Sequence, residues 1–346
     1  GSIFSSCTDD FEKLNTSNIQ VNPADLPFAA QCTEPMTYCY PPQQNMFQFW
    51  TNLTIDLYGG YFMTPNGNFT NGDMGENRGH SGGMYENYYL HIFNNPRRII
   101  AQCDASGERG LSGVMRIVQA YGTLMTTDAY GPIPYSSILS GENEVYFEFD
   151  SQKDLYKAML EDLSTAITDI SAMGADEIAK LKSFDCWCNG DKDLWVKIAN
   201  TMKLRMALRL SKRETEAGNA GMNLKAIATE AAQNTLATVN KDILIDKSLE
   251  NEMWLMFNWG DCGFNANLVT IMSGTKDPRQ PLYMTLNTGD IKNEAGTTTV
   301  AANSQYLGIR FASGLPAKPN SWGNFSGWIQ GNNGSSYSMP LPIMKA

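Results

Sequence analysis

The stretch DKDLWVKIANTMKLRMALRLS, Asp191 to Ser211, carries its own start, buried face and stop, and the fold class is read outward from it. Asn189-Gly190-Asp191 is a turn that ends on a good helix N-cap. Asp191 and Asp193 place negative charge at the positive end of the helix dipole. Trp195, Ile198, Ala199, Met202, Met206 and Leu210 recur at three- and four-residue steps, which predicts one apolar face that must be buried. Lys197, Asn200 and Lys203 fall off that stripe. Arg209, Lys212 and Arg213 crowd the last turn, where cations meet the negative dipole end, and Gly218 closes the segment. Arg205 and Arg209, four residues apart, read as an ion-pair face rather than as a catalytic group.

The same spacing recurs elsewhere. Met46, Phe47, Trp50, Leu53, Leu57 and Tyr61 predict a helix interrupted by Gly59-Gly60. Leu111, Val114, Met115, Val118, Tyr121 and Leu124 predict another over Arg109 to Met125. Leu155, Met159, Leu163, Ile167 and Ile170 predict a third over Gln152 to Met173, and a shorter one covers Leu224 to Asn234. Successive helices of this length are compatible with tetratricopeptide-like pairs, although no self-similarity stands at that repeat's period of about 34 residues. After about residue 235 the pattern breaks into loops and short strands. The expected fold is therefore mostly α, with a helical part over about 40–235 and a loop-rich part over about 236–346.

A chain of 346 residues, 42% hydrophobic, can bury a sizeable core. Its net charge of −10, with no compensating Lys/Arg run, disfavours nucleic acid as a partner. No apolar run approaches the roughly 18–20 residues needed to cross a bilayer. The start, GSIFSSCTDDFEKLN, resembles the end of a bacterial lipoprotein signal, with Cys7 as the residue that receives lipid and residues 1–15 as tether. Cys32, Cys39, Cys103, Cys186, Cys188 and Cys262 remain. Cys32 and Cys39 could close a short loop, but most of these cysteines read as buried free thiols. Cys186 and Cys188 with Asp185 lack a second ligand pair at zinc spacing, and the only histidines are His80 and His91, so neither metal nor cofactor is expected.

Two regions carry the candidate chemistry. Met63 to Gly83 is a long stretch dense in glycine and asparagine, and long ordered loops are usually functional. In the second region Trp254, Phe257, Trp259 and Phe264 stand close together, as do Trp322, Phe325 and Trp328, all among Asn, Gly and Ser. Flat aromatic faces stack on sugar rings while Asn, Asp and Arg bond the hydroxyls. Between the helices, Gly131-Pro132-Ile133-Pro134 cannot continue a helix and makes a rigid extended link flanked by Tyr130 and Tyr135.

The phrase NGDKDLWVKIANTMKLRMALRLS resembles the signature helix of the SusD/RagB family of outer-membrane nutrient-binding lipoproteins of Bacteroidetes. CTDDFEKLN, TDAYGPIPYSSI, KDPRQPLYM and the pair formed by Tyr306-Leu307-Gly308 with MPLPIMKA resemble further family segments in the family's order. The resemblance implies tetratricopeptide-like helix pairs and a surface lipoprotein anchored in the outer membrane. It also implies a role: capturing oligosaccharides, or peptides in some members, and handing them to a SusC-like TonB-dependent transporter. It further implies C-terminal helices, which are absent from a sequence ending at Met344-Lys345-Ala346.

Family members hold glycans with loop aromatics. On this sequence the candidates are Tyr61, Phe69 and Tyr85 at the first long loop and Trp259, Phe264, Trp322 and Trp328 in the second region, with Asp73, Asn77 and Arg78 as polar partners. Two rival readings stand beside this one. A glycoside hydrolase would use two of Asp128, Glu142, Glu148 and Asp185 at a separation of about 5 or 6.5–9.5 Å. A helical adaptor would bind protein partners alone.

Overall fold

The computed structural model describes residues 26–39, 46–66, 69, 75, 77–139, 147–244, 256, 259–311, 322–328 and 342–346. Cys7, Asp73, Glu142, Trp254 and Phe257 lie outside them. The helical part contains α1 (Phe28–Tyr38), α2 (Asn95–Ser106), α3 (Arg109–Tyr130), α4 (Gln152–Ser171), α5 (Ala175–Lys182), α6 (Lys192–Arg209) and α7 (Leu224–Ala231). The loop-rich part adds α8 (Ala266–Gly274) and two-stranded antiparallel ribbons. The chain is thus mostly helical with short strands, as expected. No helix among the described residues is long and apolar enough to cross a membrane.

α6 is the helix anticipated from Asp191 to Ser211. Asp191 caps it, its side chain accepting from the amides of Asp193 at 3.0 Å and Leu194 at 3.2 Å. Trp195, Ile198, Ala199, Met202 and Met206 are buried. Asn200 and Lys203, placed off the stripe in the sequence reading, are buried as well, Lys203 with only 6% of its surface left. The reason is position: α6 packs against α4 and α7 as well as α3, so a central helix hides more than one face and the long lysine stem is used as packing. Arg209 pairs with Asp128 of α3, the interhelical ion pair that the arginine spacing suggested.

Asp185 organises the turn before α6. One of its oxygens accepts from the amides of Trp187 (3.0 Å) and Cys188 (2.9 Å), the other from the amide of Gly190 (2.8 Å) and the Trp195 indole N–H (2.8 Å). Asn189 and Gly190 both adopt positive φ, 52° and 81°, which the Asn-Gly pair tolerates. Trp187 then stacks on Trp195 with centroids 5.3 Å apart, and its indole donates to the Met36 carbonyl.

α3 is the other central helix and packs on α2 and α4. A two-residue link through Gly107 (φ 78°) reverses the chain between α2 and α3. Gly113 lets α3 approach α4 closely: a β-carbon there would meet Ala166 Cα at 3.2 Å and Ile170 Cγ1 at 3.0 Å. α3 runs on to Tyr130, past the expected Met125, and stops where Gly131 turns at φ 79°. Tyr135, which follows the link, is buried, its hydroxyl donating to Asp162 at 2.5 Å.

Other boundaries move. α1 precedes the expected start near residue 40, its signal masked by Pro27 and Pro35. The helix at Met46 is wider than α over Phe47–Ile55, closed by i→i+5 bonds, and tightens to α-helix over Asp56–Tyr58. Short helices Arg78–Ser81 and Gly83–Asn87 end the stretch read as loop. Cys32, Cys39, Cys103, Cys188 and Cys262 are buried free thiols and Cys186 is a half-buried one, so Cys32 and Cys39 close no loop.

Candidate ligand-binding site

The helix Phe47–Tyr58 buries Phe47, Trp50, Leu53 and Leu57 and ends at Gly59-Gly60, where Gly60 turns at φ 72°. The chain then presents Tyr61 with 55% of its surface exposed and enters β1, Phe62–Met63. β1 pairs with β3, Gly263–Phe264, in the register Phe62 to Phe264 and Met63 to Gly263. The amide of Asn265 adds a bond to the Tyr61 carbonyl at 3.0 Å. A polar seam runs beside this ribbon. Gln48 (2.8 Å) and Asn66 (2.7 Å) each donate to a different oxygen of Asp261, and Asn52 donates to the Cys262 sulfur at 3.0 Å. Asp56 continues this row at the same four-residue spacing, and burial alone pushes its carboxyl up to about 7.

On the other side of the ribbon lies a small apolar cluster of Leu53, Leu57, Met63 and Ile309. Phe49, Phe69, Phe311, Trp322 and Phe325 pack around it, each half-buried. His80 stacks flat on Phe49, with centroids 4.6 Å apart and planes 6° apart, and sits 5.8 Å from the Phe69 ring. Burial lowers the His80 pKa from its ordinary value, so this ring is neutral at pH 7. Trp259, 42% exposed, stands two residues before Asp261 at the seam. Tyr58 is also exposed, its hydroxyl 3.4 Å from the Gly75 carbonyl.

The structure does not bring the candidates to one place. Phe69 and Trp322 share the cluster around Ile309, while Tyr61 and Trp259 flank, exposed, the two segments joined at the ribbon and seam. Tyr85 lies elsewhere, its ring edge-on to Tyr130 at 5.2 Å and its hydroxyl 3.3 Å from that of Tyr89, packed against the main core. Phe264, 2% exposed, is a core residue beside Val269, Met272 and Met284 and has no face to offer; inward strand alternation at β3 puts it there. Trp328 lies in β7 (Ser326–Trp328), opposite Met284 of β4 (Met284–Asn287). Asn77 caps the helix Arg78–Ser81 by accepting from the His80 amide at 3.2 Å, and Arg78 is exposed.

Phe49, His80, Phe311, Gln48, Asn66 and Asp261 were not singled out from the sequence. Phe49 had a signal, being an aromatic off the stripe of its own helix. Gln48, Asn66 and Asp261 depend on pairing across about 200 residues of chain, which periodicity does not carry, and His80 and Phe311 on tertiary contacts that no local pattern marks. Among the carboxylates considered for hydrolysis, Asp128 is held by Arg209 and by the Tyr156 hydroxyl at 2.6 Å, and Asp185 by its four donors. Glu148 is exposed. Among the described residues no group of three His, Cys, Asp or Glu side chains is placed to hold a metal.

A family model described as SusD-like, Susd and RagB outer membrane lipoprotein, matches residues 12–339. The chain belongs to the SusD/RagB family. The SusD-like fold is seen in solved structures: a SusD-like protein from Bacteroides thetaiotaomicron (24% identity, TM-score 0.72) and a chitin-binding SusD homolog from Flavobacterium johnsoniae (21%, 0.74). A SusD homolog from Bacteroides vulgatus adds a third (22%, 0.70). In each case 92% of this chain is covered, but only 63% of the other, so the SusD-like chain spans under two thirds of the length of these structures. No curated protein matches it.

Proposed function

We propose that this SusD-like chain is a surface-exposed outer-membrane lipoprotein, anchored through Cys7, that captures oligosaccharides and delivers them to a SusC-like TonB-dependent transporter. One observation carries the reading. The aromatic-rich first loop and the aromatic-rich second region, far apart in sequence, meet at one ribbon and one cluster, with Tyr61 and Trp259 left exposed and Phe69 and Trp322 half-buried beside them. Sugar rings lie on such faces, and Asn66, Asn77 and Arg78 supply hydroxyl partners around them. Of the initial set, Tyr61, Phe69, Trp259, Trp322 and Trp328 stay as proposed contacts, whereas Phe264 and Tyr85 are dropped.

Support also comes from the relative described as chitin-binding, which makes N-acetylglucosamine oligomers the first probe. The role proposed is binding without catalysis, since Asp128 and Asp185 are tied into the scaffold. Titration calorimetry with chitin oligomers, other oligosaccharides and a peptide panel tests this. Trp259→Ala and Trp322→Ala should each weaken glycan binding about tenfold, the loss of roughly 1.4 kcal/mol of ring contact. Unchanged affinity in both, or binding of peptides alone, would overturn the assignment. Retention of the protein by a co-expressed transporter, solubilised in detergent, tests delivery.

A further inference from the structure

A second cleft, of about 320 Å³, opens on the helical part between α2, the link after Ile133 and α4. Arg97, Tyr135, Ser136, Glu161, Asp162 and Thr165 line it. Arg97 is the unusual member. Its guanidinium lies over the Tyr135 ring, 4.3 Å from the centroid, with 14% of the side chain exposed. Its Nε–H is buried with no acceptor among the described residues, and its nearest carboxylate oxygen there, on Asp162, is 3.6 Å from Nη2, beyond hydrogen-bond reach. Asp162 is itself spent on Arg116 and on the Tyr135 hydroxyl.

The charge of Arg97 is therefore balanced by Asp162 while its donors go unused: the site lacks acceptors, not anions. A buried polar group in that state calls for a partner. An anion entering the cleft would gain those donors but would sit beside Asp162 and Glu161, with Asp150 close behind at the Tyr135 and Ser136 amides. A neutral hydroxyl has no such conflict, because it accepts from Arg97 and donates its own O–H to a carboxylate oxygen. Glu161 is exposed at the rim, where one of its oxygens accepts from the Lys157 ammonium and the other stays open, and Thr165 makes no hydrogen bond among the described residues. Donors and acceptors side by side on one wall suit vicinal hydroxyls, and the volume suits one pyranose ring.

We propose that this cleft is an accessory site for a single neutral sugar unit, separate from the aromatic surface described above. Affinity is weak, on the order of millimolar, because one ring without an aromatic platform buries little area. The test is NMR titration of the arginine Nε–H resonances in the intact chain, with the Arg97 signal identified by its loss in Arg97→Lys. Free glucose, galactose and N-acetylglucosamine are the probes, with inorganic phosphate and N-acetylglycinamide as comparisons.

A saturable shift with at least one sugar is expected. Thr165→Val and Glu161→Gln, both at the cleft wall, should weaken it several-fold, and Trp322→Ala should leave it unchanged. That last variant separates this site from the proposed glycan surface, so either can fail alone. No saturable shift with any sugar, a shift insensitive to Thr165→Val and Glu161→Gln, or tighter binding of phosphate or the amide would overturn the proposal.

Discussion

Asp185→Asn replaces a carboxylate that accepts four hydrogen bonds by an amide that can accept at one oxygen only. The two bonds kept depend on how the amide settles. Either the Trp187 and Cys188 amides or the Gly190 amide and Trp195 indole then face an NH₂ group. Each donor left buried without an acceptor costs about 1–3 kcal/mol, so the expected loss for two is about 2–6 kcal/mol. Asp191→Ala is the control six residues on. It removes an exposed N-cap worth about 1 kcal/mol and leaves the turn intact. Urea unfolding followed by tryptophan fluorescence measures both, the Trp187–Trp195 stack serving as local reporter. Hydrogen exchange at either the Gly190 or the Cys188 amide, whichever faces the new NH₂ group, should accelerate in Asp185→Asn alone. If Asp185→Asn costs no more than Asp191→Ala, the turn is not held by that carboxylate and the reasoning fails.

Asp56 gives the pH signature. Its pKa is raised from 3.8 to about 7, so its contribution is fully present below pH 3.8 and is lost as pH rises through 7. The rise corresponds to about 4 kcal/mol at roughly 1.4 per pH unit, an upper bound for the gain from Asp56→Asn at pH 8. Near pH 4 the two proteins should melt together, and equal melting at pH 8 would refute the burial argument. Gly113→Val forces side-chain atoms into the Ala166 backbone and should destabilise by about 1–3 kcal/mol, read as a lower urea midpoint. An unchanged midpoint would mean that α3 and α4 can part freely. His80 is held neutral by burial, so its contribution is present above the unfolded pKa of 6.5 and lost as pH falls below it. His80→Phe should remove that acid-side loss, visible in a thermal melt series.

How much of this was legible follows from how far each signal travels along the chain. Asp191, Trp195, Met202 and Met206 announce α6 within a few turns, because capping and 3.6-residue spacing are local. Asn200 and Lys203 were misplaced since nothing local says that α6 has neighbours on several sides. α1 was missed because Pro35 and Pro27 outweigh its few apolar residues. For the site, aromatic density in glycine-rich sequence pointed to Tyr61, Phe69, Trp259 and Trp322 but could not separate them from Phe264, which one strand register buries. Asp261 and its partners Gln48 and Asn66 left no trace, being polar residues whose meaning arises only when they touch.

The seam at Asp261 has a kinetic consequence. The α2–α3 and α3–α4 contacts join segments near in sequence, so that part can collapse early, whereas Gln48 must find Asp261 across 213 residues. Loop closure of that length comes late, after the second region has left the ribosome. In refolding, helical circular dichroism should therefore recover before ligand is captured. A chain arrested between the two events would have its helical scaffold but not the aromatic surface proposed to bind glycan.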